Sequence, residues 1–171
     1  MKRLILIAGV VAVTAFMLTW FVRPPADDTA TGSRVSAPKD IEALSAGSAV
    51  VVIARPQGEP RVETVFNSPF MVQEFAVTER WKGDPPATLA VRMEGSPADN
   101  KDVSPQREYV LYLNPFEFER GVSTGQWWIS GAGVDGIFVV DGDSALRIRH
   151  DPASPIKERQ SIPSLRAAVG G

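Results

Sequence analysis

His150 is the only side chain in the 171 residues whose intrinsic pKa suits it to exchange protons near neutral pH. A Ser-His-Asp hydrolase built on this chain would have to use it. It stands directly before Asp151-Pro152, and no serine lies in a G-x-S-x-G elbow. A lysine is the alternative base, but none of the five lysines has the setting that a Ser-Lys enzyme needs. Cysteine is absent, which removes thiolate nucleophiles, disulfides, Cys-ligated zinc and lipid attachment at a cysteine. Sortases and L,D-transpeptidases, which need a nucleophilic cysteine, are excluded with it. The expectation is a chain with no catalytic residue, cofactor or metal site; an envelope hydrolase using His150 or a lysine as base is the second reading.

Two short motifs suggest ligands and fail on context. Gly131-Ala-Gly-Val-Asp-Gly136 has the letters of a dinucleotide fingerprint, which works only where the glycine turn opens a helix whose N-terminus holds pyrophosphate. An extended run, Ile137-Phe-Val-Val140, follows instead, so these glycines are expected to permit bends or close strand packing. Asp141-Gly142-Asp143 resembles the start of a calcium loop, but a complete site needs several more oxygen ligands including a bidentate Glu, and no glutamate follows until Glu158, so it is expected to form a hairpin turn.

Aromatic residues are the better surface candidates. Trp127 and Trp128 are adjacent, so a strand sends one ring inward and the other outward. The outer ring could stack on a sugar or pack on a partner, or it could be covered by the C-terminal turn. Phe116 and Phe118 could extend that surface, or plug one end of the fold. Arg80, Lys82 and Arg92 are expected to line a solvated edge that discourages pairing with neighbouring strands.

The elements that must position these residues begin after an apolar start. Met1 to Arg3 form a short basic tail, and Leu4 to Val22 is 19 residues without a charge. Such a helix spans about 28 Å, close to the ~30 Å hydrocarbon core of a bilayer. Trp20 and Phe21 sit where an interfacial aromatic belt would lie. The reading is a single-pass helix with a cytoplasmic N-terminus. A cleaved signal peptide is the alternative, with cleavage after Val13-Thr14-Ala15 or Pro24-Pro25-Ala26, and either puts the rest of the chain outside. Residues 23–38, rich in Pro, Ser, Thr, Ala and Asp, read as a flexible linker. Of the 18 Lys and Arg, Lys2 and Arg3 precede the apolar stretch, which leaves 16 against 20 Asp and Glu and argues against a nucleic-acid partner.

Residues 39–150 read as one β-domain. Lys39 to Ala46 is expected to form a short helix stopped by Gly47. Ala49-Val-Val-Val-Ile-Ala54 reads as a strand buried on both faces, followed by a turn over Pro56 to Pro60 and a second strand from Arg61 to Phe66. Strands are also expected from Phe75 to Trp81, Leu89 to Met93, Tyr109 to Leu113 with a stop at Asn114-Pro115, Trp127 to Ser130, Gly136 to Val140 and Ala145 to Arg149. Residues 151–171 form a tail with a short helix between Ser161 and Val169. The fold class is mainly β, a small antiparallel barrel (OB-like) or a sandwich with short flanking helices, preceded by the transmembrane helix.

The short helix leading into Ala49-Val-Val-Val-Ile, then Phe75-x-Val-x-Glu-x-Trp-Lys-Gly83, Glu108-Tyr-Val-Leu-Tyr-Leu113 and Gly131-x-Gly133-x-x-Gly136-x-Phe138, give a pattern. Over residues 40–149 it resembles a group of exported bacterial proteins similar in outline to the netrin-like and TIMP-like modules. That resemblance implies an OB-type barrel in an exported setting. Protease inhibition by such modules depends on an N-terminal cysteine, absent here, and does not transfer. The expected role is a non-catalytic binding or assembly module at the cell envelope, tethered to the membrane, with an envelope protein or a glycan as partner.

Overall fold

The computed structural model describes residues 37–131, 133–149 and 154–170. Leu4–Val22, read as a membrane helix, and His150 lie outside them. Among the described residues no helix is long and apolar enough to cross a membrane.

Asp40 caps helix α1 (Ile41–Ala46), its carboxylate accepting from the Ala43 amide at 2.7 Å, while Ile41 and Leu44 fall on one buried face. Strand β1 (Val50–Val65) follows. Its apolar start is buried on both sides because Val50, Val52 and Ala54 enter one core and Val51 another. The expected turn over Pro56 to Pro60 is not there. β1 runs through it, a register shift between Gln57 and Arg61 absorbing Gly58, Glu59 and Pro60 as an irregularity, where a proline without an N–H is tolerated. The chain reverses instead at Phe66-Asn67, joining β1 to β2 (Ser68–Lys82).

β3 (Thr88–Glu94) pairs antiparallel with β2. A polar loop then leads to β4 (Tyr109–Glu117), and Tyr109 anchors it: its hydroxyl donates to Asp102 O at 2.9 Å and accepts from Ser104 N at 2.8 Å. β4 does not stop at Asn114-Pro115. Leu113 O accepts from Ala49 N, so by alternation Pro115 faces the same edge, where β1 has already ended and no N–H is needed.

β5 (Ser123–Ile129) pairs antiparallel with β4 and parallel with β3, so the pairing is not wholly antiparallel. β6 (Ile137–Asp141), β7 (Ser144–Arg147) and β8 (Arg159–Ser161) follow, and α2 (Ile162–Val169) is capped by Ser161. The eight-stranded sheet has the order β1-β2-β3-β5-β4-β6-β7-β8. A further pairing of β1 with β4, from Val50 opposite Leu113 to Ala54 opposite Tyr109, curls part of it into a ring.

The two cores follow from that curl. Val52, Phe75, Leu89, Val91, Leu111 and Ile129 belong to the inner cluster, with Phe75 and Tyr109 meeting edge to face. Val51, Val110, Tyr112 and Phe138 lie on the opposite faces of their strands and pack with Ile41 and Leu44 of α1 and Leu165 of α2.

The glycine motif bends the chain from β5 to β6 along one edge of β4. Gly131 and Gly133 have φ of +70° and +79°, and a Cβ on Gly136 would stand 2.9 Å from the carbonyl oxygens of Ser130 and Tyr112. A strand follows, not a helix, so nothing presents a helix N-terminus to pyrophosphate. Asp135 within this bend is buried and paired with the buried Arg147 at 2.7 Å. The β6–β7 turn is Gly142-Asp143, with Gly142 at φ +58°.

Candidate functional site: an aromatic face around a buried arginine

β3 alternates Leu89, Val91 and Met93 into the inner core, which turns Ala90 and Arg92 to the outer face of the ring. Arg92 lies opposite Val72 on β2 and Trp128 on β5. Trp127, opposite Val91, packs on the inner cluster, so the adjacent tryptophans take opposite faces and Trp128 is the outer one. Phe70 of β2 and Phe116 of β4 flank it, with ring centroids 6.2 and 5.9 Å from Trp128. Phe118 meets Phe116 edge to face at 4.9 Å. The cover over Trp128 is the glycine bend, since a Cβ on Gly133 would lie 3.0 Å from Trp128 Cζ2.

Arg92 is only 2% exposed although it faces outward. Its Cζ stands 4.5 Å from the centroid of Phe116, 5.3 Å from Phe70 and 5.5 Å from Phe118. Nε donates to Gln126 Oε1 at 2.7 Å, Nη2 donates to the Glu63 carboxylate, and Nη1 is buried without a hydrogen-bond partner. Glu63 also accepts from Gln126 Nε2 at 2.9 Å and from Arg61 Nε at 3.1 Å. A guanidinium thus forms the floor on which the rings rest, each contact of this kind contributing about 0.5–2 kcal/mol.

The solvated edge expected of Arg80, Lys82 and Arg92 holds for Arg80 alone. Lys82 Nζ donates to Ser45 O at 2.6 Å at the end of α1. Arg92 is drawn under the rings because the β1–β2 hairpin brings Glu63, far away in sequence, to its guanidinium.

Of the residues singled out in sequence, Trp128, Phe116 and Phe118 come together and Trp127 does not join them. Phe70, Glu63 and Gln126 were not singled out, and Arg92 was expected at a solvated edge instead of beneath the rings. A lone arginine inside the alternation Leu89-Ala-Val-Arg-Met93 was the one local signal for Arg92.

Burial alone would raise the pKa of Glu63, but hydrogen bonds from Gln126 and Arg61 and the charges of Arg92 and Arg61 outweigh it and hold the carboxyl below its ordinary value. The folded state therefore binds this proton less readily than the unfolded chain. Its stabilising contribution is complete above the ordinary glutamate range, near pH 4.3, and is lost as pH falls from there through the folded value. In urea titrations, Glu63→Gln should be less stable than the parent at pH 7, with the gap closing as pH drops below about 4. A gap that persists unchanged to pH 3 would contradict the ion pair.

Elsewhere, a cavity of about 390 Å³ is lined by Ala37, Pro38, Leu44, Asn114 and Ser130 among others. Its hydroxyl, Ser130 Oγ, is tied into structure: Asn114 Nδ2 donates to it at 3.0 Å, and it lies 2.8 Å from Ser48 Oγ, itself 2.7 Å from Leu44 O. Among the described residues no group of three or more His, Cys, Asp or Glu could hold a metal ion. No protein-family profile matches this chain, and no curated protein is significantly similar to it.

Proposed function

We propose that the chain is a membrane-tethered, non-catalytic binding or assembly module of the cell envelope, and that its partner docks on the aromatic face around Arg92. The observation that carries this is the set of partly exposed rings, Phe70, Phe116, Phe118 and Trp128, held from beneath by a buried, ion-paired guanidinium. Rings fixed in this way meet a ligand without losing further side-chain freedom.

We read the ring of β1, β2, β3, β5 and β4 as a small OB-type barrel, as in the netrin-like and TIMP-like modules. The return pairing of β4 on β1 and the parallel pairing of β3 with β5 support that reading. OB-type barrels bind across the face of their second and third strands, beside the loops joining strands 1 to 2 and 4 to 5. Arg92, Phe70 and Phe118 lie on those elements, and Glu63 lies at the end of β1 just before the first of those loops. Fold alone does not name the ligand; aromatic rings with Gln126 and Glu63 at their edge suit a glycan or an apolar segment of an envelope protein.

Ala90 shares the outer face two residues from Arg92, so a photo-reactive benzoylphenylalanine placed there in the full chain samples the site in living cells. The expected result is a discrete adduct that disappears with Trp128→Ala and is absent when the probe is at Asp143. Equal labelling at both positions would refute the site. An activity abolished by His150→Ala with the fold intact would overturn the non-catalytic reading.

A further inference from the structure

The exposed large apolar side chains among the described residues are Val62, Phe66, Phe118 and Val122, and all fall on the β1–β2 and β4–β5 hairpins. Phe66 is 94% exposed. It occupies the first central position of a two-residue turn in which Phe66 and Asn67 have φ of +48° and +63°. Both central residues at positive φ mark a type I′ turn, a place for Asn or Gly where a phenylalanine is strained. The chain thus keeps a large ring in a strained conformation where it is almost wholly exposed, which points to a use outside the fold.

The two hairpins converge. Glu63 of the first accepts from Gln126 of β5 at 2.9 Å, and both Glu63 and the Phe118 ring meet the Arg92 guanidinium. The chain also leaves towards its N-terminus beside this face, since Ala37 and Pro38 share a cavity with Asn114, which lies opposite Trp128. From Arg23 to Ser36 there are 14 residues, which reach at most about 50 Å when fully extended. A bilayer crossed by Leu4–Val22 therefore stays within reach of the hairpin tips.

We propose that the tips of the β1–β2 and β4–β5 hairpins, through Phe66, Phe118 and Val122, insert into the interfacial layer of the bilayer that carries the N-terminal segment. The inference rests on the tethered reading above. The occupant is a lipid surface because the apolar groups sit on protruding turns, and because the tether holds that surface nearby. Each ring transferred favours the docked state by roughly tenfold or more. Exposed Glu59, Glu74, Glu117 and Glu119 on the same hairpins are balanced by Arg55, Arg61, Arg80 and Arg120, so the matching surface is zwitterionic.

The absence of cysteine makes single-site labelling clean. Ser68→Cys, Glu119→Cys and Asp143→Cys, each carrying a polarity-sensitive fluorophore, are to be made in the full chain and reconstituted into phosphatidylcholine vesicles. Emission at 68 and 119 should shift to the blue, be quenched by brominated acyl chains and be shielded from aqueous iodide, while 143 stays aqueous. Adding Phe66→Ser and Phe118→Ser should abolish the shift without preventing vesicle flotation. Protein that floats while 68 and 119 remain as aqueous as 143 would overturn hairpin insertion and leave the tether standing. Failure to float would overturn both.

Discussion

Asp135→Ala is expected to lower the stability of the domain by about 3–5 kcal/mol, read as a shift in the midpoint of urea unfolding. Asp135 and Arg147 have side chains 1% and 2% exposed, and the Arg147 Nη1 to Asp135 Oδ1 distance is 2.7 Å. Removing the carboxylate takes an ion-pair partner away from a guanidinium that has little access to water. The bend that presents Asp135 is tight: its amide donates to Gly131 O at 3.1 Å, and a Cβ on Gly131 would come within 2.6 Å of Asp135 Cβ. Replacing both partners, Asp135→Leu with Arg147→Met, should be markedly less harmful than Asp135→Ala, because the buried cation is removed together with its carboxylate. A single variant no less stable than the parent would mean that the pair contributes nothing. For a domain of this size the expected loss is a large part of the total stability.

Arg92→Ala is expected to cost about 2–4 kcal/mol and to abolish the photo-adduct at position 90. The substitution removes a buried cation from beneath Phe70, Phe116 and Phe118 and strips a donor from Gln126 and another from Glu63. Glu63 keeps a side-chain exposure of 30% and can turn to water, which holds the loss below that of the Asp135 pair. Arg92→Lys should not restore the face. A lysine lacks the flat fork that lies against Phe116 while bonding Gln126 and Glu63. Tryptophan emission would report the collapse through Trp128, the one tryptophan among the described residues in ring contact with both Phe70 and Phe116. Unchanged stability together with an intact adduct would remove Arg92 from the site.

Much of the strand content was legible because it is written in period two. Leu89, Val91 and Met93 alternate as strands do, and the unbroken run from Val50 to Ala54 announced burial on both faces, which the two cores supply. Proline misled twice. Pro60 and Pro115 are stop signals only where an N–H must join a ladder, and here they sit at a register irregularity and beside a vacated edge, while β1 runs through Pro56 opposite Phe75. The parallel β3–β5 contact could not be read, because it joins strands separated by β4.

The site divides in the same way. Neighbouring tryptophans had to split, but which one faced out depended on register against Val91 and Arg92. Arg92 itself reads locally as a surface charge. Its burial is decided by Glu63, on a strand that local pattern had broken at the prolines.

Pairing Val50 with Leu113 makes the ring depend on contacts between residues far apart in the chain. Folding of such a topology is slow, since a long loop must close before its ladder gives any return. During synthesis β1 has no partner on its β4 edge until β4 has been made. Under the exported reading proposed above, that delay would let the chain cross the membrane still extended.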